Sequence, residues 1–121
     1  MQTRQLVPMV FVADVERSIA FYKHLGFELG NTFTQEAATK PTWAWLQCGD
    51  AQLMLAAVNE PIVPDQQRVL FYLYTDDVAA AHASLADAGL NPGEISNPFY
   101  APRGEFEVRD PDGFILMITH T

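Results

Sequence analysis

The chain carries one pattern twice, 63 residues apart, and that repeat restricts its fold more than any other feature. Asp14-Val15 opens a helical pattern running to Leu25-Gly26-Phe27, and Asp77-Val78 opens one of equal length running to Ala88-Gly89-Leu90. The same offset sets Gln52-Leu53-Met54-Leu55 against Ile115-Leu116-Met117-Ile118, and Leu6-Val7 against Val69-Leu70. Each helix has a physical start and stop. Asp14 and Asp77 can accept from the free N–H groups of the first turn, and Gly26 and Gly89 stand where a left-handed residue ends a helix. Val15, Ile19 and Tyr22 make one apolar face of the first helix; Val78, His82 and Leu85 hold the matching positions of the second.

Strands are expected around both helices. Leu6–Val12 and Val69–Thr75 precede them as short apolar runs, and Phe27–Thr34 follows the first. Trp43–Cys48 and Ala51–Ala57 flank Gly49-Asp50 as a hairpin, and Gly104–Arg109 and Phe114–His120 flank the turn Asp110-Pro111-Asp112-Gly113. The second copy of the strand after the helix, around Leu90–Ile95, is weakened by Pro92. The order is βαβββ, twice. One domain of two pseudo-repeats is expected, residues 1–58 and 68–121, with 59–67 as the linker.

Composition narrows the function classes. A net charge of −8 repels phosphate backbones, and no Lys/Arg stripe offsets it, so nucleic acid is not expected as a partner. No uncharged apolar run approaches the roughly 20 residues of a membrane helix, and the N-terminal residues lack a signal-peptide stretch. A single cysteine, Cys48, excludes an intrachain disulfide. A cytoplasmic protein without membrane contact is the expectation.

The order βαβββ, with Asp-Val-x-x-Ser-x-x-Phe-Tyr-x-x-Leu-Gly-Phe at Asp14–Phe27 and Asp-Pro-Asp-Gly at Asp110–Gly113, resembles the vicinal-oxygen-chelate family of glyoxalases, bleomycin-resistance proteins and extradiol dioxygenases. The stretch Arg103–Gly113 is similar to the bleomycin-resistance branch in particular. The resemblance spans nearly the whole chain. It implies an α+β fold in which the two repeats form a curled mixed sheet with a central cleft. A ferredoxin-like sandwich is the rival fold, but it has one strand fewer per half.

Enzymes of that family hold a divalent metal in the cleft on His, Glu or Gln from the first and last strand of each unit. By the resemblance those positions are Val7, Met54, Leu70 and Met117 here, and all four are apolar. Hydrocarbon cannot coordinate, and a thioether is a poor ligand for hard divalent ions. Neither a metal nor another cofactor is therefore expected.

The candidate binding residues are mostly aromatic. Alternation puts Val7, Met9 and Phe11 on one face of the first strand, with Leu70, Tyr72 and Tyr74 matching them by the repeat. Because the family's ligand positions belong to this set, the resemblance turns these side chains, with Met54 and Met117, toward the cleft. Trp43 and Trp45 share a face of their strand, and Phe99 and Tyr100 lie in a Pro-flanked loop. Each could instead fill core. Arg103, Glu105, Glu107 and Arg109 alternate onto one face, either as a solvated, self-paired charge ladder or, if that face meets the cleft, with Glu105 or Glu107 pairing with a cationic ligand; Arg103 and Glu105 join the candidate ligand-binding residues. His24 is expected in solvent, His82 half-buried and hydrogen-bonded, His120 at a chain end, and Cys48 buried and inert.

These residues point to a metal-free homodimeric protein that binds or sequesters a small aromatic or cationic molecule, in the manner of antibiotic resistance. The alternative is a glyoxalase- or dioxygenase-type lyase, isomerase or oxygenase with a rearranged metal site. No catalytic residue is assigned.

Overall fold

The structure is a computed structural model and describes residues 1–120; Thr121 lies outside the described residues. The chain divides into two compact units, Met1–Ile62 and Val63–Thr121.

The first unit has the complete βαβββ order: β1 (Met9–Val12), α1 (Val15–Lys23), β2 (Glu28–Phe33), β3 (Trp43–Cys48) and β4 (Ala51–Ala57). Its four strands lie in the order β1-β4-β3-β2, with β1 parallel to β4 and the other pairs antiparallel. Asp14 caps α1 by accepting from the Arg17 N–H at 3.1 Å. Alternation then decides what is buried. Val10, Val12, Ala44, Leu46, Leu53 and Leu55 point from the sheet to one side, where α1 lays Val15, Ile19 and Tyr22 on them. Tyr22 makes edge-to-face contacts with Phe21 and Phe27, at ring separations of 5.1 and 5.9 Å.

The second unit repeats the plan with β5 (Leu70–Tyr74), α2 (Val78–Asp87), β6 (Phe106–Arg109) and β7 (Ile115–Thr119), ordered β5-β7-β6. Asp77 caps α2 through the Ala80 N–H at 2.9 Å, as Asp14 caps α1. Val78 and Leu85 of α2, and Phe106, Val108, Leu116 and Ile118 of the sheet, are buried. His82 is half-buried as expected: its Nε2 lies 2.9 Å from the Gly93 carbonyl and its ring meets Phe106 edge-on at 5.0 Å.

The copies differ at one strand. The segment around Leu90–Ile95 forms no strand; it runs beside β6 on two links, the Gly93 N–H to the Glu107 carbonyl at 2.8 Å and a bridge between Ser96 and Glu105. Pro92 has no N–H to give a ladder, and Asn91 has a φ of 52°, outside extended backbone. The outer strands are also shorter than the apolar runs implied: Leu6–Pro8 precede β1, and Gly104-Glu105 precede β6.

Cys48 corrects the expectation of a buried thiol, because it is exposed. It shares the α1 side of β3 with Ala44 and Leu46, but its Sγ lies over Gly26, where the helix has ended and no side chain covers it.

Candidate functional site

Each sheet is covered by its helix on one face only, and the opposite face of each is largely apolar. In the first unit two rows run across that open face. Met9 is paired with Met54 and Met54 with Trp45; Phe11 is paired with Ala56, Ala56 with Trp43, and Trp43 with Phe33. Trp43 and Trp45 thus lie on the open face, their rings 6.5 Å apart. Met9, Phe11 and Phe33 are exposed, and Met54 and both tryptophans are half-buried. Val7 stands before β1, outside the ladder.

The second unit has matching rows. Leu70 pairs with Ile115 and Ile115 with Arg109; Tyr72 pairs with Met117 and Met117 with Glu107; Tyr74 pairs with Thr119. Leu70, Tyr72 and Tyr74 are all exposed, Tyr74 by 62%. Phe99 and Tyr100 sit in a turn closed by the Ala101 N–H on the Pro98 carbonyl at 2.9 Å, with Phe99 95% exposed. A groove of about 680 Å³ runs along β6 on this open face, between the strand and the 91–96 segment, and includes Glu105, Glu107, Arg109, Ser96 and Met117 in its walls.

The four charged residues are divided by the structure. Glu107 and Arg109 form an exposed pair, Arg109 Nε to Glu107 Oε1 at 3.3 Å, as a solvated ladder would. Arg103 does not share their strand face, because Gly104, at a φ of +105°, interrupts the extended backbone; its N–H donates to His120 Nε2 at 3.0 Å. Glu105 is only 5% exposed and is no part of a solvated ladder. Its Oε1 accepts the Tyr100 hydroxyl at 2.9 Å, while its Oε2 is shut from solvent and has no hydrogen-bond partner. This contact was not legible beforehand: Tyr100 and Glu105 lie on opposite sides of a turn whose path depends on Gly104.

The Glu105 carboxylate holds the Tyr100 hydroxyl above the ordinary tyrosine range, first by accepting its hydrogen bond and then by desolvation and its negative charge; Tyr72 adds to the shift. The folded value is therefore above the unfolded one, so this contact contributes below the ordinary tyrosine pKa of about 10 and is lost as pH rises through the raised value. In an ultraviolet phenolate titration, the phenol missing from Tyr100→Phe should titrate above the ordinary range. Glu105→Gln should bring that phenol back down. A Tyr100 phenol that titrates identically with and without the Glu105 charge would refute the coupling.

Of the positions the resemblance assigns to metal ligands, Met54, Leu70 and Met117 occupy the open faces and carry no hard donor. Those residues do not fit a divalent ion. Among the described residues, no three His, Cys, Asp or Glu side chains are grouped so as to hold one. No helix among them is long and apolar enough to cross a membrane. Phe33, Ile115 and Ser96 belong to the open faces or the groove although they were not among the candidates; extending the period-2 count would have found Ile115, two residues before Met117.

Solved structures share this architecture. A bleomycin resistance determinant encoded on transposon Tn5 superposes with a TM-score of 0.74 at 23% identity, over 98% of both chains. A bleomycin-binding protein complexed with bleomycin gives 0.73 at 23%, over 98% of this chain and 99% of that one. SMU.1112c gives 0.82 at 22% identity, over 99% and 100%. None of the curated proteins matches the sequence significantly. Residues 4–118, nearly the whole chain, match the family model, and the protein belongs to the Glyoxalase/Bleomycin resistance protein/Dioxygenase superfamily.

Proposed function

We propose that this protein binds and sequesters a small aromatic or cationic organic molecule on the open faces of its sheets, without a metal ion. The observation that carries this is the aromatic lining left uncovered opposite each helix: Phe11, Trp43 and Trp45 in one unit, Tyr72, Tyr74 and Tyr100 in the other. Uncovered apolar surface of this kind marks a binding face, and flat rings give contact area with little side-chain entropy to lose. Sequestration needs only such area and a few polar anchors, whereas a reaction would need a nucleophile, base and orienter held together. The solved bleomycin-binding protein complexed with bleomycin is a relative in fold that takes a ligand of this general kind. Antibiotic resistance is the biological role that follows, and a homodimer is the assembly in which part of the exposed apolar surface is covered.

Calorimetric titration of the full chain with bleomycin and a panel of cationic aromatic molecules tests this. Binding of at least one is expected at micromolar affinity and should survive chelator treatment, since Met54, Leu70 and Met117 offer no metal donors. A ligand present at 100 times its Kd raises stability by about 2.7 kcal/mol, which a thermal shift would register. Tyr72→Ala should weaken binding roughly tenfold or more, as loss of a central aromatic contact does. No binding across the panel, or binding that vanishes with the chelator, would reject the proposal.

A further inference from the structure

Among the described residues, Glu105 is the one buried carboxyl on the open side of the second sheet whose second oxygen has no hydrogen-bond partner. It lies at the groove beside β6, 5% exposed, with Oε1 taken by the Tyr100 hydroxyl and Oε2 without a partner. Asp110 and Asp112 are also buried, but Asp110 Oδ1 is committed to its own turn, accepting the Asp112 and Phe114 N–H groups at 2.9 Å each. Removing a carboxylate oxygen from water without a donor is costly, so its retention calls for a donor that arrives from outside. Tyr100 is the cover: it is 60% exposed, sits on a surface turn, and holds Glu105 through a single hydrogen bond.

We infer that Glu105 is a charge anchor for a primary ammonium group carried on an aromatic frame, reached when Tyr100 turns aside. This deepens the proposed sequestration and rests on it. A donor on a cation makes a stronger hydrogen bond to a carboxylate than a neutral one does. An ammonium can satisfy the single free oxygen as a compact point charge, whereas a guanidinium fork would need both oxygens and would displace Tyr100 entirely. The exposed rings of Tyr72 and Tyr100 add faces that attract a cation. The aromatic frame of the ligand lies on the open face over Tyr72 and Met117, which are neighbours in the ladder.

The test uses two probes of one shape, 2-naphthylmethylamine and 2-naphthylmethanol, titrated calorimetrically at neutral pH into the full chain. The ammonium form should bind roughly tenfold tighter than the alcohol, the factor a charged hydrogen bond supplies. Glu105→Gln should bring the two affinities within about twofold of each other, with circular dichroism showing that the variant is folded. Tyr100→Phe, which releases the cover and keeps the charge, should hold or raise the preference for the amine. Equal affinities in the parent chain, or a preference that survives Glu105→Gln, would overturn the charge anchor while leaving aromatic binding intact. Failure of both probes to bind up to millimolar concentration, with a member of the wider panel still bound, would overturn the anchor for this ligand class, whereas failure of the whole panel would overturn the sequestration itself.

Discussion

Gly113→Ala is expected to destabilise the second unit by roughly 3–5 kcal/mol, a large part of the 5–15 kcal/mol that holds a typical domain together. Two separate causes add at this residue. Gly113 has a φ of +89°, a conformation that residues with a β-carbon rarely adopt. A β-carbon there would also stand 2.6 Å from the Pro64 Cα and Cβ and 2.7 Å from its carbonyl oxygen. Pro64 opens a short 3₁₀ turn, Pro64–Gln66, and the obstruction includes its backbone, which cannot rotate away. Behind that turn the Gln67 side chain donates to the Asp112 carbonyl at 3.3 Å, so moving Pro64 would also strain the contact that fastens the 63–67 segment to the β6–β7 turn. Gly89→Ala separates the two causes. Its φ of +78° carries a similar backbone penalty, but nothing lies within 4 Å of the added carbon, so about 1 kcal/mol is expected. Urea unfolding of both variants measures the difference, and equal losses would mean that the approach of Pro64 carries no energy.

Much of this architecture is legible in the sequence because its signals are local and occur twice. Asp14 and Asp77 cap helices, Gly26 and Gly89 end them, and the strand Ala51–Ala57 falls on its expected bounds. Period-2 counting groups Met9 with Phe11 and Leu70 with Tyr72 and Tyr74, the repeat matches the two sets, and the family resemblance supplies the direction in which they face; a strand covered by one helix leaves such alternate side chains uncovered. What failed to show depends on a few special backbone positions. Gly104 breaks the alternation that would have set Arg103 beside Glu105 and Glu107, and the burial of Glu105 against the Tyr100 turn leaves one exposed ion pair and one buried carboxyl in place of the expected charge ladder. Cys48, expected to be buried and inert, is exposed because its Sγ lies over the side-chain-free Gly26. The meeting of Tyr100 with Glu105 spans a turn whose path no periodicity describes.

Glu105→Gln is expected to raise the stability of the ligand-free protein by about 1–3 kcal/mol, the range set by an unsatisfied buried polar group. The substitution keeps the shape of the side chain and leaves an oxygen to accept from Tyr100, so the contact at 2.9 Å survives. What disappears is a charged oxygen held out of water with nothing to donate to it. The amide nitrogen that replaces it is also without a partner, but burying a neutral group costs less than burying a charge. Glu105→Leu should gain as well, because the Tyr100 hydroxyl, on an exposed residue, can turn to water once its acceptor is gone. Thermal and urea unfolding of the two variants beside the parent chain provide the measurement. If both prove less stable, Glu105 is a structural residue whose hydrogen bond to Tyr100 outweighs its burial, and no ligand is needed to explain it. A gain in stability coupled to a loss of preference for the ammonium probe would identify the opposite case: a destabilising group kept because binding compensates for it. That pairing distinguishes a site from a packing detail, since a residue serving only the fold has no reason to lower its stability.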